Sequence, residues 1–333
     1  MDELRRDATG GRWVLVRPSS KPPSESDCPY CPGAEDLAGP EIAAYRSDAS
    51  APNGPGWTVR VVAEHDPYFR IEWELVREGL GLFDVIAPRG ASELVIESPR
   101  HDDTLATMDP WHLESVLWMF RDRIVDLKRD DQIRDILISR HHRKPGVSPH
   151  HPYSRVSAIP IVFDGTRREL REAREYYEYK RRCLYCDILR QELAAPERVV
   201  RRSRFFVALV PYAARTPFET WILPRRHGCS FEDAVDPEVV SDLAALLSGL
   251  FRALTSGLGD PSYELVLHNV PNLRSRVMKG DWATIQDDYH WHIEVITHLE
   301  RINRVGGIYV NEVPPETAAA ALRDAWEAAA PQG

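Results

Sequence analysis

Two C-x-x-C pairs, Cys28–Cys31 and Cys183–Cys186, open the two halves of this chain, and the same succession of marks follows each. In the first half CPYC (28–31) leads to SPRHDDTLATMDPWHL (98–113) and then to HHPYSR (150–155). In the second, CLYC (183–186) leads to PRRHGCSFEDAVDPEVV (224–240) and then to YHWHIEV (289–295). Both middle stretches run from Pro-Arg to a histidine, His101 or His227, and on to Asp109-Pro110 or Asp236-Pro237. One order of marks met twice in 333 residues points to a duplicated unit. That length also suits two domains of ordinary size.

Asp at the N-cap with Pro at the first helical position starts a helix in each half. Leu113, Val116, Leu117, Phe120, Ile124 and Leu127 share one face of the first helix, and Val240, Leu243, Leu247, Leu250 and Leu254 one face of the second. Short strand-like runs surround them: WTVRVV (57–62), ELVIE (93–97), FFVALV (205–210), TWIL (220–223) and YELVLH (263–268). In YHWHIEV, period two puts His290, His292 and Glu294 on one face and Trp291, Ile293 and Val295 toward the core. The expected fold class is α+β, with an antiparallel sheet carrying helices in each half. The halves span 1–165 and 166–333, and RRELREAREYYEYKRR (167–182) forms a helical connector.

Of five cysteines, four are paired by spacing and Cys229 is left over. In a reducing compartment this pattern favours metal over disulfides. Cys28, Cys31, His101 and His151 form one Cys2His2 set, and Cys183, Cys186, His227 and His290 the other. Such closed sets suit tetrahedral, structural Zn2+. The alternative is buried thiols beside ordinary polar histidines. Repetition of the order favours two zinc ions per chain, each contributing on the order of 10 kcal/mol to its half.

The net charge is −9 with acids and bases interspersed, which excludes general nucleic-acid binding. Clustered bases such as RHHRK (140–144) are candidates for a local phosphate contact. No apolar run reaches the length of a membrane span, and MDELRRD does not read as a signal peptide. The expected location is the cytoplasm.

The segments ESDCPYCPG (25–33), ELVIESPRHDDTL (93–105), GVSPHHPYSRVSAIP (146–160), REYYEYKRRCLYCDIL (174–189), PYAARTPFETWILPRRH (211–227), YHWHIEV and GGIYVNEVPPE (306–316) resemble the galactose-1-phosphate uridylyltransferase family of the histidine-triad superfamily. The resemblance spans nearly the whole chain. It implies duplicated histidine-triad-like units, a homodimer, and transfer of a nucleoside monophosphate between a nucleotide sugar and a sugar phosphate. In that family the loop G-x-S-x-x-H-P-H-S-Q supplies a metal ligand with its first histidine. Its second histidine attacks the α-phosphorus, and the glutamine steadies phosphoryl oxygens.

Here the loop reads Gly146-Val147-Ser148-Pro149-His150-His151-Pro152-Tyr153-Ser154-Arg155, with Ala158 and Pro160 fixing the register. His151 therefore takes the ligand position, Tyr153 the nucleophile position and Arg155 the glutamine position. VVAEHDP (61–67) stands where the family has V-V-P-N-K-x-P for the nucleoside. The resemblance places Ser148, Ser154 and Lys144 beside substrate. Glu169 and His268 match positions that serve a second metal in some members. Three readings of Tyr153 stay open. Its phenol is a replacement nucleophile, activated by Arg155 or Lys144. Otherwise the transfer proceeds without it, by direct displacement or through His292, the repeat-equivalent residue. In the third reading transfer is lost, and the site binds a phosphorylated ligand or a partner protein. Arg155 serves as a phosphate clamp in any of them.

Overall fold

The helices begin where Asp-Pro marks them. In the computed structural model, which describes residues 2–17, 28–47, 50–143, 151–274, 282–299 and 303–329, α1 is Pro110–Leu127. Its repeat partner, named α5 below, is Pro237–Leu258. The Asp236 side chain accepts from the Val239 amide at 2.9 Å, a cap of about 1 kcal/mol, whereas Asp109 makes no such bond. Every residue expected on the apolar faces of these two helices is buried.

In chain order the strands of the first half are β1 (Glu3–Arg6), β2 (Trp13–Val16), β3 (Glu41–Arg46), β4 (Trp57–Ala63), β5 (Arg77–Leu80), β6 (Phe83–Ile86), β7 (Ala91–Ile96), β8 (Asp135–His142) and β9 (Tyr153–Ile159). Helices α2 (Asp164–Lys180) and α3 (Leu184–Ala194) follow, then β10 (Val199–Arg202), β11 (Phe206–Leu209), β12 (Thr220–Pro224) and the short α4 (Phe231–Ala234). After α5 come β13 (Tyr263–His268), the short α6 (Ile285–Asp288), β14 (His292–Thr297), β15 (Asn303–Val305), β16 (Ile308–Val310) and α7 (Pro315–Ala328).

Ten of these strands form one antiparallel sheet in the order β10-β11-β12-β14-β13-β8-β9-β7-β4-β3. The order shows the duplication directly. Each half contributes five strands, with its last two exchanged in space, and the halves meet where β8 pairs with β13, Tyr263 opposite His142 and Leu267 opposite Ile138. Two separate sheets were expected; the halves instead share one. Fusion removes two exposed strand edges that separate sheets would have left unpaired. Strands β2-β1-β6-β5 form a small second sheet.

α1 and α5 lie on one face of the large sheet, over a core that includes Val156, Ala158, Leu265, Trp291, Ile293 and Val295. By length and composition, α5 is the one helix among the described residues that could cross a membrane. Its buried leucines, however, belong to this core. The opposite face of the second half is covered by α2 and α3, burying Leu170, Tyr185, Leu189, Leu209 and Tyr289. Period two holds in YHWHIEV, yet both faces are buried: His290, His292 and Glu294 are as enclosed as their neighbours.

The seam carries a charged pair. Arg140 Nε donates to Glu97 at 2.7 Å and Arg140 Nη1 to the Tyr263 hydroxyl at 2.5 Å, while Ser154 Oγ donates to Glu97 at 2.6 Å. This corrects two expectations. Arg140 of RHHRK is 3% exposed and committed to Glu97, and His142 and Arg143 both meet Asp260. Ser154 faces the core, because period two turns it away from Tyr153 and Arg155. Lys144 and Ser148 lie outside the described residues. Arg140→Ala should cost about 3–5 kcal/mol, since it strands Glu97 as an unpaired buried charge. Chemical denaturation checks this; a loss below about 1 kcal/mol would show that the seam does not depend on the pair.

Candidate active site and metal centres

Each Cys-x-x-C sits in a turn or helix start, and its two histidines come from elsewhere in the same half. Cys31 Sγ lies 3.5 Å from His101 Nδ1 and 3.7 Å from His151 Nδ1, and Cys28 Sγ lies 3.7 Å from His151 Nδ1. In the second half Cys186 Sγ lies 3.5 Å from His227 Nδ1 and 3.6 Å from His290 Nδ1, with Cys183 Sγ at 3.9 Å. Sulfur and nitrogen ligands on one tetrahedral zinc-sized ion stand about 3.5 Å apart. The spacing therefore fits a shared cation. The far nitrogens agree: His151 Nε2 donates to the Ser98 carbonyl at 2.7 Å, His227 Nε2 to Gln286 at 2.9 Å and His290 Nε2 to Pro224 at 3.0 Å. Each such bond leaves Nδ1 free to ligate and fixes the ring. Burial holds His151 below the usual imidazole range, favouring the neutral form a metal needs. Both sets could hold a metal ion.

Two residues past His151, Tyr153 begins β9 beside Ile96 of β7. Its ring meets Tyr30, from CPYC, edge-on at 5.7 Å. Arg155 shares its face and donates from Nη2 to Glu64 at 2.5 Å, with the guanidinium 5.4 Å from the centre of the Tyr68 ring. Glu64 directly follows β4 and is held there by its amide bond to the Ser92 carbonyl at 3.1 Å. Burial raises the Tyr153 phenol above its ordinary value; Glu64 and Tyr68 add to the rise, and Arg155 only partly opposes it. The phenol is thus protonated near neutral pH, the reverse of what an activated nucleophile requires.

Glu64 was not singled out from the sequence. A signal was present, because a new carboxylate in VVAEHDP and a new guanidinium in HHPYSR are complementary departures.

His292 belongs to another site. It lies on β14, three strand spacings from β9, roughly 14 Å across the sheet. It is also shifted along the strands, since Ser154 pairs through Arg140 with Leu265 while His292 pairs with His268. Within one chain it cannot serve a phosphorus held at Tyr153. Around it, His268 meets Glu169 at 3.0 Å and Glu294 at 3.3 Å and stacks on His292 at 4.6 Å. Burial opposes charge on His268, yet the two carboxylates push its pKa up to about 10. Burial and then that cation hold His292 down at about 4. Glu169, His268, His292 and Glu294 could also hold an ion. Residue for residue this mirrors the first half with charges reversed: Glu294, two past His292, binds Arg215 at 2.6 Å as Arg155 binds Glu64.

Cys183→Ser should remove one metal ion per chain and destabilise the second half, while Cys229→Ser, outside both sets, should leave metal content unchanged. Elemental analysis of chelator-free protein decides this; equal loss from both variants would mean that the ligand sets are wrongly drawn.

The family model described as galactose-1-phosphate uridyl transferase, N-terminal domain, matches residues 5–156, and the corresponding C-terminal domain model matches 169–322. ADP-glucose phosphorylase of Arabidopsis thaliana is 29% identical, over 97% of this chain and 92% of that protein. Galactose-1-phosphate uridylyltransferase of Thermotoga maritima is 30% identical over 68% of each. The solved structure of the Arabidopsis phosphorylase with bound ADP-glucose superposes with a TM-score of 0.75 at 27% identity, covering 97% of this chain and 99% of that one. A solved uridylyltransferase gives 0.81 at 27% identity, covering 98% and 99%. The duplicated sheet, the paired Cys2His2 sets and these matches together establish that the chain belongs to the galactose-1-phosphate uridyl transferase family.

Proposed function

We infer that this chain moves a nucleotidyl group between a nucleotide sugar and a sugar phosphate or inorganic phosphate, by direct displacement rather than through a nucleotidyl-histidine. One observation carries the reading. Where the nucleophile would stand there is a tyrosine packed edge-on against Tyr30, yet the surroundings remain a polar cluster of Glu64, Tyr68 and Arg155 rather than apolar filling. An oxygen of the acceptor phosphate attacks the α-phosphorus; one P–O bond forms as the bond to the departing sugar phosphate breaks, and the leaving oxygen keeps the electron pair. Entering and leaving groups are both anionic phosphates near neutral pH, so no proton need be moved. Tyr153 and Arg155 donate hydrogen bonds to the phosphoryl oxygens.

The named relatives supply the substrate class: UDP-hexose with hexose 1-phosphate, or ADP-glucose with inorganic phosphate. The same reading takes Zn2+ as the ion of both Cys2His2 sets, and divides the chain into units 1–165 and 166–333. It also takes a cytoplasmic homodimer as the working form. A second reading, a ligand-binding relative without transfer, is favoured by the engagement of Arg155 with Glu64.

Incubation with UDP-glucose or ADP-glucose and labelled hexose 1-phosphate or inorganic phosphate should carry label into the nucleotide pool. Tyr153→Phe, which removes one hydrogen-bond donor but no nucleophile, should slow that exchange about 10²-fold without abolishing it, and intact-protein mass spectrometry should find no adduct. No exchange with any pairing, while ligands still bind, would make the chain a binding protein. A nucleotidyl mass on the peptide bearing residue 153 would exclude direct displacement.

A further inference from the structure

Arg155 already holds an anion of the protein's own. Its Nη2 is bonded to Glu64 Oε1 at 2.5 Å, and the two side chains are only 24% and 14% exposed. The pair is nevertheless incomplete. Arg155 Nε and Glu64 Oε2 are both buried and have no hydrogen-bond partner among the described residues, so the contact is single rather than the two-bond fork a guanidinium and carboxylate can make. A half-satisfied buried pair is held less firmly than a complete one, and an incoming anion competes for the same guanidinium. The Tyr68 ring beneath Arg155 holds the guanidinium plane whichever anion it binds.

We propose that Glu64 is a specificity-determining residue, an internal competitor that sets how strongly the Tyr153 end of the site binds phosphoryl groups through Arg155. This rests on the reading of that end as the phosphate-receiving site, but not on its being catalytic. With Glu64 in place, the local charge offered to a ligand is near zero, and a phosphoryl group must displace a carboxylate to reach the guanidinium. The penalty grows with the charge of the ligand, because a phosphate brought close to Glu64 is repelled as well as denied its partner. Multiply charged ligands such as free pyrophosphate are therefore disfavoured most. Uncharged nucleosides are not affected by this competition.

The test is binding, read by calorimetry on the full-length, metal-loaded protein without turnover, with inorganic pyrophosphate, inorganic phosphate and uridine as probes. Glu64→Gln keeps the side-chain shape and removes the charge. It should bind pyrophosphate about tenfold tighter or more, phosphate by a smaller factor, and uridine unchanged. Arg155→Gln should weaken both anions. In the Arg155→Gln background, Glu64→Gln should recover little of its gain, because the two residues act as a unit. Unchanged or weaker pyrophosphate binding in Glu64→Gln would overturn the proposal. So would an equal gain in both backgrounds, which would reveal a general field effect rather than competition for Arg155. If Glu64→Gln does not fold, judged by circular dichroism, Glu64→Asp must show the same direction at smaller size, and its failure to do so counts equally against the proposal. Absence of transfer by the unsubstituted protein, with these binding changes intact, would overturn the reading as a transferase and leave the competition standing.

Discussion

The pairing of β8 with β13 is the constraint on which the rest of this molecule depends. It fuses two copies of a five-stranded unit into one sheet and sets their functional ends apart. Backbone pairing alone does not choose a register, but a slip of one residue exchanges the two faces and is opposed wherever a face is buried. Here Arg140 of β8, held by Glu97 beyond β7, bonds the hydroxyl of Tyr263 on β13, and a slip at the seam would bury that hydroxyl without its partner. The same register fixes Tyr153 and His292 at distant places, so two residues that match in the repeat serve different surroundings.

Within each unit the Cys2His2 set, which could hold a metal ion, stands at the start of a strand. His151 leads into β9 and His290 into β14; the residue two further on faces the site, and the residue four further on carries its charge. Period two of an extended chain makes that spacing automatic once the histidine ring is fixed. An ion held by Nδ1, with Nε2 on a backbone carbonyl, would therefore position Tyr153 and Arg155 without touching them. Chemistry at those positions can change while the scaffold does not, which is how H-P-Y-S-R can stand in a frame otherwise kept.

Much of this was legible in the residues. The repeated order of cysteines, histidines and Asp-Pro located both ligand sets and both long helices, because metal ligation and helix starts are local in spacing and restricted in residue type. The fusion of the sheets was not legible. YELVLH reads as a strand, but nothing local says that it will pair with Asp135–His142, whose end reads only as a basic cluster. The paired state of Arg140 and Arg155 was hidden for the same reason. Glu97 and Glu64 are 43 and 91 residues distant, and a basic cluster in sequence becomes a set of neutralised pairs in space. Ser154 shows the opposite failing: alternation on β9 already implied that it faces away from Tyr153, but its place in the family loop outweighed that simpler argument.

Direct displacement and a covalent detour differ in the stereochemistry they leave at phosphorus. A nucleotide sugar made chiral at the α-phosphorus, turned over to completion by the metal-loaded protein, gives one inversion if the acceptor attacks in a single step. Inverted configuration in the nucleotide product is the predicted result. Retention, the outcome of two successive inversions through a nucleotidyl-enzyme, would contradict the account and return a nucleophile to the site.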